Sequence, residues 1–230
     1  MCKRYSKNER KYLKYCLYCF KDLHDKEDFI HYLSQSSLLC GNCRRQLVPL
    51  FKTYRVKDMD VFAFYLYNRF LEGILFQYKE GRDSALKDVF FHEIKTVIEQ
   101  KYKGYTLVLM PSSPQKTNER GFYAMEEMTR QIHLPKCMPF MKTANMKQST
   151  MRYAQRNLIE EKMVLDPTVP LPQGKLLLID DVMTSGSTMH RAYTLLKQHK
   201  IKICVLGFHE LLLEQEAHGV ESCDEKNLRK

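Results

Sequence analysis

The chain has 230 residues, 44% of them apolar, which is enough for one ordinary domain and a small additional module. Lysine and arginine outnumber aspartate and glutamate by 37 to 27, and the formal net charge of +10 favours polyanionic partners such as nucleic acid or a nucleotide. No apolar run is long enough to cross a bilayer, and no apolar segment follows the basic N-terminus as it would in a secretion signal. We therefore expect a cytoplasmic protein.

Two Cys-x-x-Cys pairs lie near the start of the chain and consist of Cys16, Cys19, Cys40 and Cys43. Each short turn can point two thiolates at one ion, and two such pairs complete the tetrahedral shell that Zn²⁺ prefers. Because four thiolates leave no open coordination position, the metal should be structural and should supply the folding free energy of a segment with little core. The competing interpretations are disulfides, which a reducing cytosol disfavours, and one redox-active pair. The sequence thus predicts a zinc module over residues 1–50, followed by a second domain over residues 51–230.

Basic residues flank the cysteines: Lys3, Arg4, Lys7, Arg10, Lys11, Lys14, Arg44 and Arg45. A basic zinc module can follow a phosphate backbone, and nearby tyrosines such as Tyr12 and Tyr18 can stack on bases. A solvated basic arm with its tyrosines in a small core explains the same residues equally well. The pattern alone does not choose between these two interpretations.

Hydrophobic periodicity predicts alternating strands and helices after the module. The predicted strands cover residues 61–67, 105–110, 137–141, 176–179 and 201–208. The predicted helices cover residues 69–78, 85–101, part of 119–132 and 189–199. Residues 144–159 are polar and basic and are predicted to form a mobile loop with a helical piece. Alternation of strand and helix is typical of a parallel sheet with right-handed crossovers, so the predicted fold class is α/β.

The most informative segment begins with the predicted strand at residues 176–179. Two acids follow it, and then a loop of small hydroxyl residues and glycine; these residues are Asp180, Asp181, Thr184, Ser185, Gly186, Ser187 and Thr188. Paired carboxylates can accept hydrogen bonds from vicinal ribose hydroxyls, and such a loop can turn its amides toward an anion, aided by the helix that follows. A solvated acidic pair before an ordinary helix cap is the alternative. Because ligands bind beyond the carboxyl ends of parallel strands, the order of these residues favours a site for a phosphorylated sugar.

This segment strongly resembles the loop that binds phosphoribosyl pyrophosphate (PRPP) in type I phosphoribosyltransferases. The resemblance implies that Asp180 and Asp181 hold the ribose hydroxyls and that residues 184–188 cradle the 5′-phosphate. It also implies Mg²⁺ bound together with PRPP.

Three further segments resemble the ComF family of competence proteins. They are a turn after the strand at 105–110, an Arg-Gly-Phe segment and a Gln…Arg…Arg-x-x-Asn pattern, and their residues are Pro111, Ser112, Ser113, Arg120, Gly121, Phe122, Gln148, Arg152, Arg156 and Asn157. With the cysteine pairs ahead and the PRPP-type loop behind, nearly the whole chain resembles this family.

The resemblance to the ComF family implies a type I phosphoribosyltransferase-like parallel sheet flanked by helices, preceded by the zinc module. It implies catalytic roles for Asp180, Asp181 and Arg120 and a PRPP-binding turn at Pro111, Ser112 and Ser113. Contacts from a lid, to phosphate or to DNA, would come from Lys147, Gln148, Arg152, Arg156 and Asn157.

The family acts in natural transformation on incoming single-stranded DNA, in the cytosol beside a helicase-like ATPase. The resemblance therefore implies a competence protein that works at the inner face of the membrane through the DNA-uptake machinery. Since a fold does not fix a function, two alternatives stay open. One is an active phosphoribosyltransferase that uses PRPP and an unknown acceptor, and the other is a regulator that senses PRPP.

Overall fold

The computed structural model describes residues 13–23, 38–143 and 162–212, and β-strands form its centre. The strands are β1 (Pro49–Val56), β2 (Met59–Tyr67), β3 (Tyr105–Leu109), β4 (Lys136–Cys137), β5 (Phe140–Thr143), β6 (Lys162–Leu165), β7 (Lys175–Met183) and β8 (Lys200–His209). The helices are α1 (Gly41–Arg45), α2 (Arg69–Lys79), α3 (Val89–His92), α4 (Lys95–Lys101), α5 (Pro114–Arg120), α6 (Ala124–Met128) and α7 (Ser187–Leu195), and a 3₁₀ helix covers Ser84–Asp88. None of the helices in these ranges has both the length and the apolar composition to cross a membrane.

The main sheet has six strands in the order β1-β2-β8-β7-β3-β4. Strand β1 pairs with β2 in an antiparallel manner, and all the other neighbours in this sheet are parallel. Strands β5 and β6 form a separate antiparallel pair. Because β3, β7 and β8 are parallel, their carboxyl ends lie at the same edge, where ligands of such sheets bind.

Apolar residues cover both faces of the main sheet. Leu177 and Ile179 of β7 belong to one buried cluster, whereas Leu176 and Leu178 belong to the other, as the two-residue repeat of a strand requires. This burial on both sides explains why β7 begins with an unbroken apolar run rather than an alternating pattern. The predicted α/β class with a largely parallel sheet is confirmed.

The cysteine pairs pack against the same cluster as helix α2. Tyr18 makes an edge-to-face contact with Phe70, with ring centroids 5.2 Å apart. The Arg44 guanidinium forms a 2.9 Å ion pair with Glu93. The predicted division of the chain at residue 50 remains a prediction, and strand β1, which the sequence did not predict, runs across that position.

Two predicted elements are divided in the structure. Residues 85–101 form the 3₁₀ helix, α3 and α4 rather than one helix. The predicted strand at 137–141 is split between β4 and β5, since Pro139 lacks the amide that would continue the ladder.

Candidate functional site

Both acids of the sugar-phosphate segment lie within strand β7, which was predicted to end at Ile179 but continues to Met183. Asp181 is buried, and its Oδ1 accepts a 2.8 Å hydrogen bond from the Val182 amide. Its Oδ2 forms an ion pair with the Lys79 ammonium at the end of helix α2. Asp180 is half-buried, and its Oδ1 accepts a 2.9 Å hydrogen bond from the Asp181 amide. The two carboxylates therefore have different surroundings although they are neighbours in sequence.

Charges around the acids shift the pKa values of the groups that meet there. Burial raises the pKa of Asp180 to about 6, against the opposing charges of Lys79 and Lys142. Burial lowers the pKa of Lys79 to about 8, against the attraction of Asp180, and the nearby charges of Arg120 and Lys116 lower it further. In the protein without ligand, the surroundings therefore disfavour the ionised forms of both Asp180 and Lys79. Such shifts in pKa are common in binding sites. Lys79 was not predicted, because the only sequence signal was a basic residue in the last turn of an otherwise apolar helix.

The loop after β7 has the predicted left-handed glycine. Gly186 has φ of +69° and caps helix α7. The hydroxyl-bearing residues Thr184, Ser185, Ser187 and Thr188 are exposed around it. The Ser187 amide donates to Ser185 Oγ at 3.3 Å, whereas the amides of Ser185 and Gly186 donate no hydrogen bond within the described part of the chain. Exposed hydroxyls and unused amides at the start of a helix give this loop the means to bind an anion.

Strand β1 and its turn support this loop. A Cβ atom on Gly186 would lie only 3.1 Å from Val56 Cγ1, so a larger residue would have to move the hairpin. His190 of helix α7 lies 2.9 Å from the Asp58 carboxylate in the β1–β2 turn. The edge hairpin therefore sets the position of the loop.

Replacing Gly186 with alanine tests this geometry. We expect a loss of about 2 kcal/mol of stability and weaker binding of phosphosugars, because alanine is strained at this φ and also meets Val56. The matched control is Gly104→Ala, since Gly104 has a similar φ of +79° but nothing within 4 Å of an added Cβ. The control variant should lose about 1 kcal/mol of stability and bind phosphosugars as the wild type does. Thermal unfolding and calorimetric titration with ribose 5-phosphate measure both quantities, and equal effects of the two variants would contradict the assignment.

The turn after β3 lies beside the acids and borders a cavity. Ser113 is buried, and its Oγ caps helix α5 by accepting from the Lys116 amide at 3.4 Å. Pro111 and Ser112 line a mostly apolar cavity of about 360 Å³, which residues of strand β5 also border. Neither acid nor any residue of the loop after β7 lines this cavity, so it is a separate space beside the candidate site.

Arg120, predicted as a catalytic residue, lies at the C-terminal end of helix α5. Its side chain is only 6% exposed, and its Nη2 donates a 2.6 Å hydrogen bond to Glu80, the residue after Lys79. The Arg120 Nε is buried without a hydrogen-bond partner in the described ranges. Arg120 thus contacts the segment that carries Lys79. The predicted lid residues Lys147, Gln148, Arg152, Arg156 and Asn157 lie outside the described residues.

The four predicted metal ligands come together. The sulfur atoms of Cys16, Cys19, Cys40 and Cys43 all lie within 4.8 Å of one another. The Cys19 and Cys40 sulfurs are 3.6 Å apart. Zinc–sulfur bonds of about 2.3 Å in a tetrahedral shell place sulfurs about 3.8 Å apart, so this arrangement fits a four-thiolate metal site.

Comparisons with known proteins agree with the motifs. The chain is 29% identical over 136 residues to the competence protein ComFC of Streptococcus pneumoniae, a match that covers 59% of this chain and 61% of that protein. It is 28% identical over 131 residues to ComFC of Bacillus subtilis, with 56% of this chain and 54% of that protein covered. The predicted resemblance to the ComF family is confirmed. The aligned part spans less than two thirds of either ComFC protein, and no family model matches the chain.

A solved structure is also similar in part. It is a hypoxanthine-guanine phosphoribosyltransferase from Bacillus anthracis, 14% identical, with a TM-score of 0.29 over 54% of this chain and 66% of that one. We assign no residue roles from an alignment at this level. The roles considered for this ComFC-like chain come from its own residues.

Proposed function

We propose that this chain is a ComFC-like competence protein of the cytoplasm that acts on single-stranded DNA during natural transformation and binds PRPP or a related phosphosugar. Similarity to two proteins named for competence supports the biological role. The sugar site is supported chiefly by the unused amides of Ser185 and Gly186 beside the half-buried Asp180, at the edge where parallel sheets bind ligands.

The residues of this edge suit the parts of a phosphosugar. The Asp180 carboxylate can accept hydrogen bonds from ribose hydroxyls, and the amides and hydroxyls of the loop around Gly186 can bind the 5′-phosphate. The turn at Pro111 and Ser112 would face the pyrophosphate. Mg²⁺, when bound with PRPP, would neutralise charge on the pyrophosphate and ribose oxygens while keeping several waters.

Zinc is the metal that we assign to the cysteine cluster. The four thiol groups leave no position for a substrate, and three of them are buried, so the ion would stabilise the fold. The module it holds can contact DNA or a partner such as a helicase-like competence ATPase. Arg44 is already paired with Glu93, which makes it a weaker candidate for a phosphate contact.

Binding of single-stranded DNA should depend strongly on salt. The net charge of +10 favours phosphate contacts, and each contact releases counterions from the DNA. We expect the affinity for a fluorescent mixed-sequence oligonucleotide to fall at least about tenfold between about 50 and 200 mM salt, as measured by fluorescence anisotropy. Absent binding, or binding that does not change with salt, would count against the DNA-binding role.

An active phosphoribosyltransferase is the second candidate function. The cavity of about 360 Å³ beside Pro111 and Ser112 favours it, since a transferase needs space for an acceptor next to the pyrophosphate-binding turn. In that reaction the acceptor would displace pyrophosphate from the sugar carbon, and the protein would position the reactants and neutralise the leaving group. Pyrophosphate release from PRPP in a screen of nucleobases and amines tests it. A wild-type protein that binds PRPP but releases none would leave the binding role as the function.

A further inference from the structure

The two carboxylates of strand β7 differ in how they are held. Asp181 Oδ1 accepts a hydrogen bond from the Val182 amide, whereas its buried Oδ2 accepts no hydrogen bond in the described ranges and has the Lys79 ammonium as its ion-pair partner. Asp180 has one oxygen bonded to the Asp181 amide, and its Oδ2 has no hydrogen-bond partner in the described ranges. Adjacent residues of a strand also point to opposite faces of the sheet, so one ligand does not meet both side chains equally.

We propose that Lys79 is a positioning residue of the sugar site: its ammonium group binds the buried Asp181 and leaves Asp180 as the carboxylate that the hydroxyl groups of a phosphosugar meet. This inference rests on the proposed sugar-binding function. It assigns different roles to two acids that the motif treats as a pair.

The two neighbours of Lys79 in sequence are held by side-chain contacts, and Lys79 itself has one ion-pair partner. It ends helix α2, whose Tyr78 hydroxyl donates a 3.1 Å hydrogen bond to the Ala124 carbonyl. The next residue, Glu80, is bonded to the nearly buried Arg120 of helix α5. The ammonium itself contacts Asp181 of β7. The chain on either side of Lys79 is thus anchored to helices α5 and α6, and this anchoring places the Lys79 ammonium beside Asp181.

The charged groups around the acids define what Lys79 does to Asp180. Strand β5 contributes Lys142, helix α2 contributes Lys79 and Glu80, and helix α5 contributes Lys116 and Arg120. Of these cations, Lys79 and Lys142 favour the ionised form of Asp180. Removing Lys79 should therefore leave Asp181 buried without a counter-ion and also make Asp180 harder to ionise.

A double-mutant cycle separates positioning from binding. Lys79→Met should lower the melting temperature, because it leaves a buried unpaired carboxylate, and the double variant with Asp181→Asn should recover most of that loss. The double variant should also bind ribose 5-phosphate at least about tenfold more tightly than Asp180→Asn, since it keeps the ligand-facing carboxylate. The matched control is Lys116→Met, an exposed cation of helix α5 for which the structure gives no ion pair with either acid.

The ionisation of Asp180 provides a readout that a purely structural role would not move. The carbon-13 signal of the Asp180 carboxyl, assigned by its loss in Asp180→Asn, can be followed against pH. In Lys79→Met its midpoint should rise by about half a unit to one unit, because the Lys79 charge is gone while the Asp181 carboxylate remains, and in Lys116→Met it should stay in place.

The outcomes distinguish this inference from the function on which it rests. If the wild-type protein binds neither ribose 5-phosphate nor PRPP in calorimetry, both the sugar site and the role of Lys79 are wrong. If the wild type binds but the double variant binds as weakly as Asp180→Asn, or the Asp180 midpoint is unchanged in Lys79→Met, the sugar site stands and the role of Lys79 is wrong. Recovered stability, retained binding and a raised midpoint together would support it.

Discussion

Replacing Cys43 with serine, or removing the metal with a chelator, is expected to lower the free energy of unfolding by about 3 kcal/mol or more. Cys43 is buried with Cys16 and Cys40 in the same cluster as Phe70 of helix α2. Loss of the ion would leave polar thiols in that core and free the segment that they hold. In a chain of this size such a loss corresponds to a fall in melting temperature of about 6 to 12 °C, which circular dichroism can measure.

Cys137→Ser is the matched control for this experiment. Cys137 is only half-buried and is not part of the four-cysteine cluster, so the same chemical change should alter stability little. Metal content measured by atomic absorption should show about one zinc per wild-type chain and a large loss in Cys43→Ser. A wild-type protein without zinc, or a Cys43→Ser variant as stable as the wild type, would contradict the structural metal site.

The four-cysteine cluster and the proposed sugar site both depend on helix α2. The cysteine cluster packs against Phe70 near the start of this helix, and the contact of Lys79 with Asp181 lies at its end. Disorder introduced at the metal should therefore also weaken the contact of Lys79 with Asp181. The four-cysteine module would thus support, through helix α2, the proposed site at the carboxyl edge of the sheet.

Local sequence patterns predicted the strands with the most buried surroundings. The apolar runs of β7 and β8 lie between two cores, as expected for parallel strands that are buried on both faces. Cysteine spacing likewise predicted the four-thiol cluster, because the ligands come in two local pairs. Features that depend on neighbours close in sequence were therefore predictable.

Features that depend on packing between distant segments were not predictable. The ion pair of Lys79 with Asp181 joins the end of a helix to a strand far along the chain, and no local pattern marks it. Strand β1 was missed because an exposed edge strand shows little apolar periodicity and begins with Pro49, which edge strands tolerate. The unequal surroundings of Asp180 and Asp181 likewise appear only when the strand continues past them.

Replacing Asp180 with asparagine is expected to remove phosphosugar binding and at the same time to stabilise the fold. Burial raises the pKa of Asp180 to about 6, above the value of about 3.9 in an unfolded chain. Between about pH 4 and pH 6 the folded state therefore binds more protons than the unfolded state, and wild-type stability falls as the pH rises through this range. Above about pH 6 the full cost of the buried charge is present.

Asparagine has no charge to bury, so the Asp180→Asn variant should be more stable than the wild type. The difference in free energy of unfolding should grow from about pH 4 to pH 6 and then stay constant. A shift of about two pKa units corresponds to about 3 kcal/mol, and the partial exposure of Asp180 reduces this to about 1 to 2 kcal/mol, or about 3 to 6 °C in melting temperature. Affinity for ribose 5-phosphate should fall by about a hundredfold, because the amide cannot replace a charged acceptor for the hydroxyl groups. Thermal unfolding and calorimetry across this pH range measure both effects.

Asp166→Asn provides a control of opposite sign. Hydrogen bonds from the Thr168 hydroxyl and amide hold the pKa of the exposed Asp166 below its usual range, so its ionised form is favoured by folding. The Asp166→Asn variant should therefore be no more stable than the wild type above pH 6. If Asp180→Asn is less stable than the wild type at neutral pH while binding is lost, Asp180 stabilises the fold and the loss of binding follows from damage to the sheet edge. If it is more stable and cannot bind, the carboxylate is kept at a cost to stability for the ligand that it contacts.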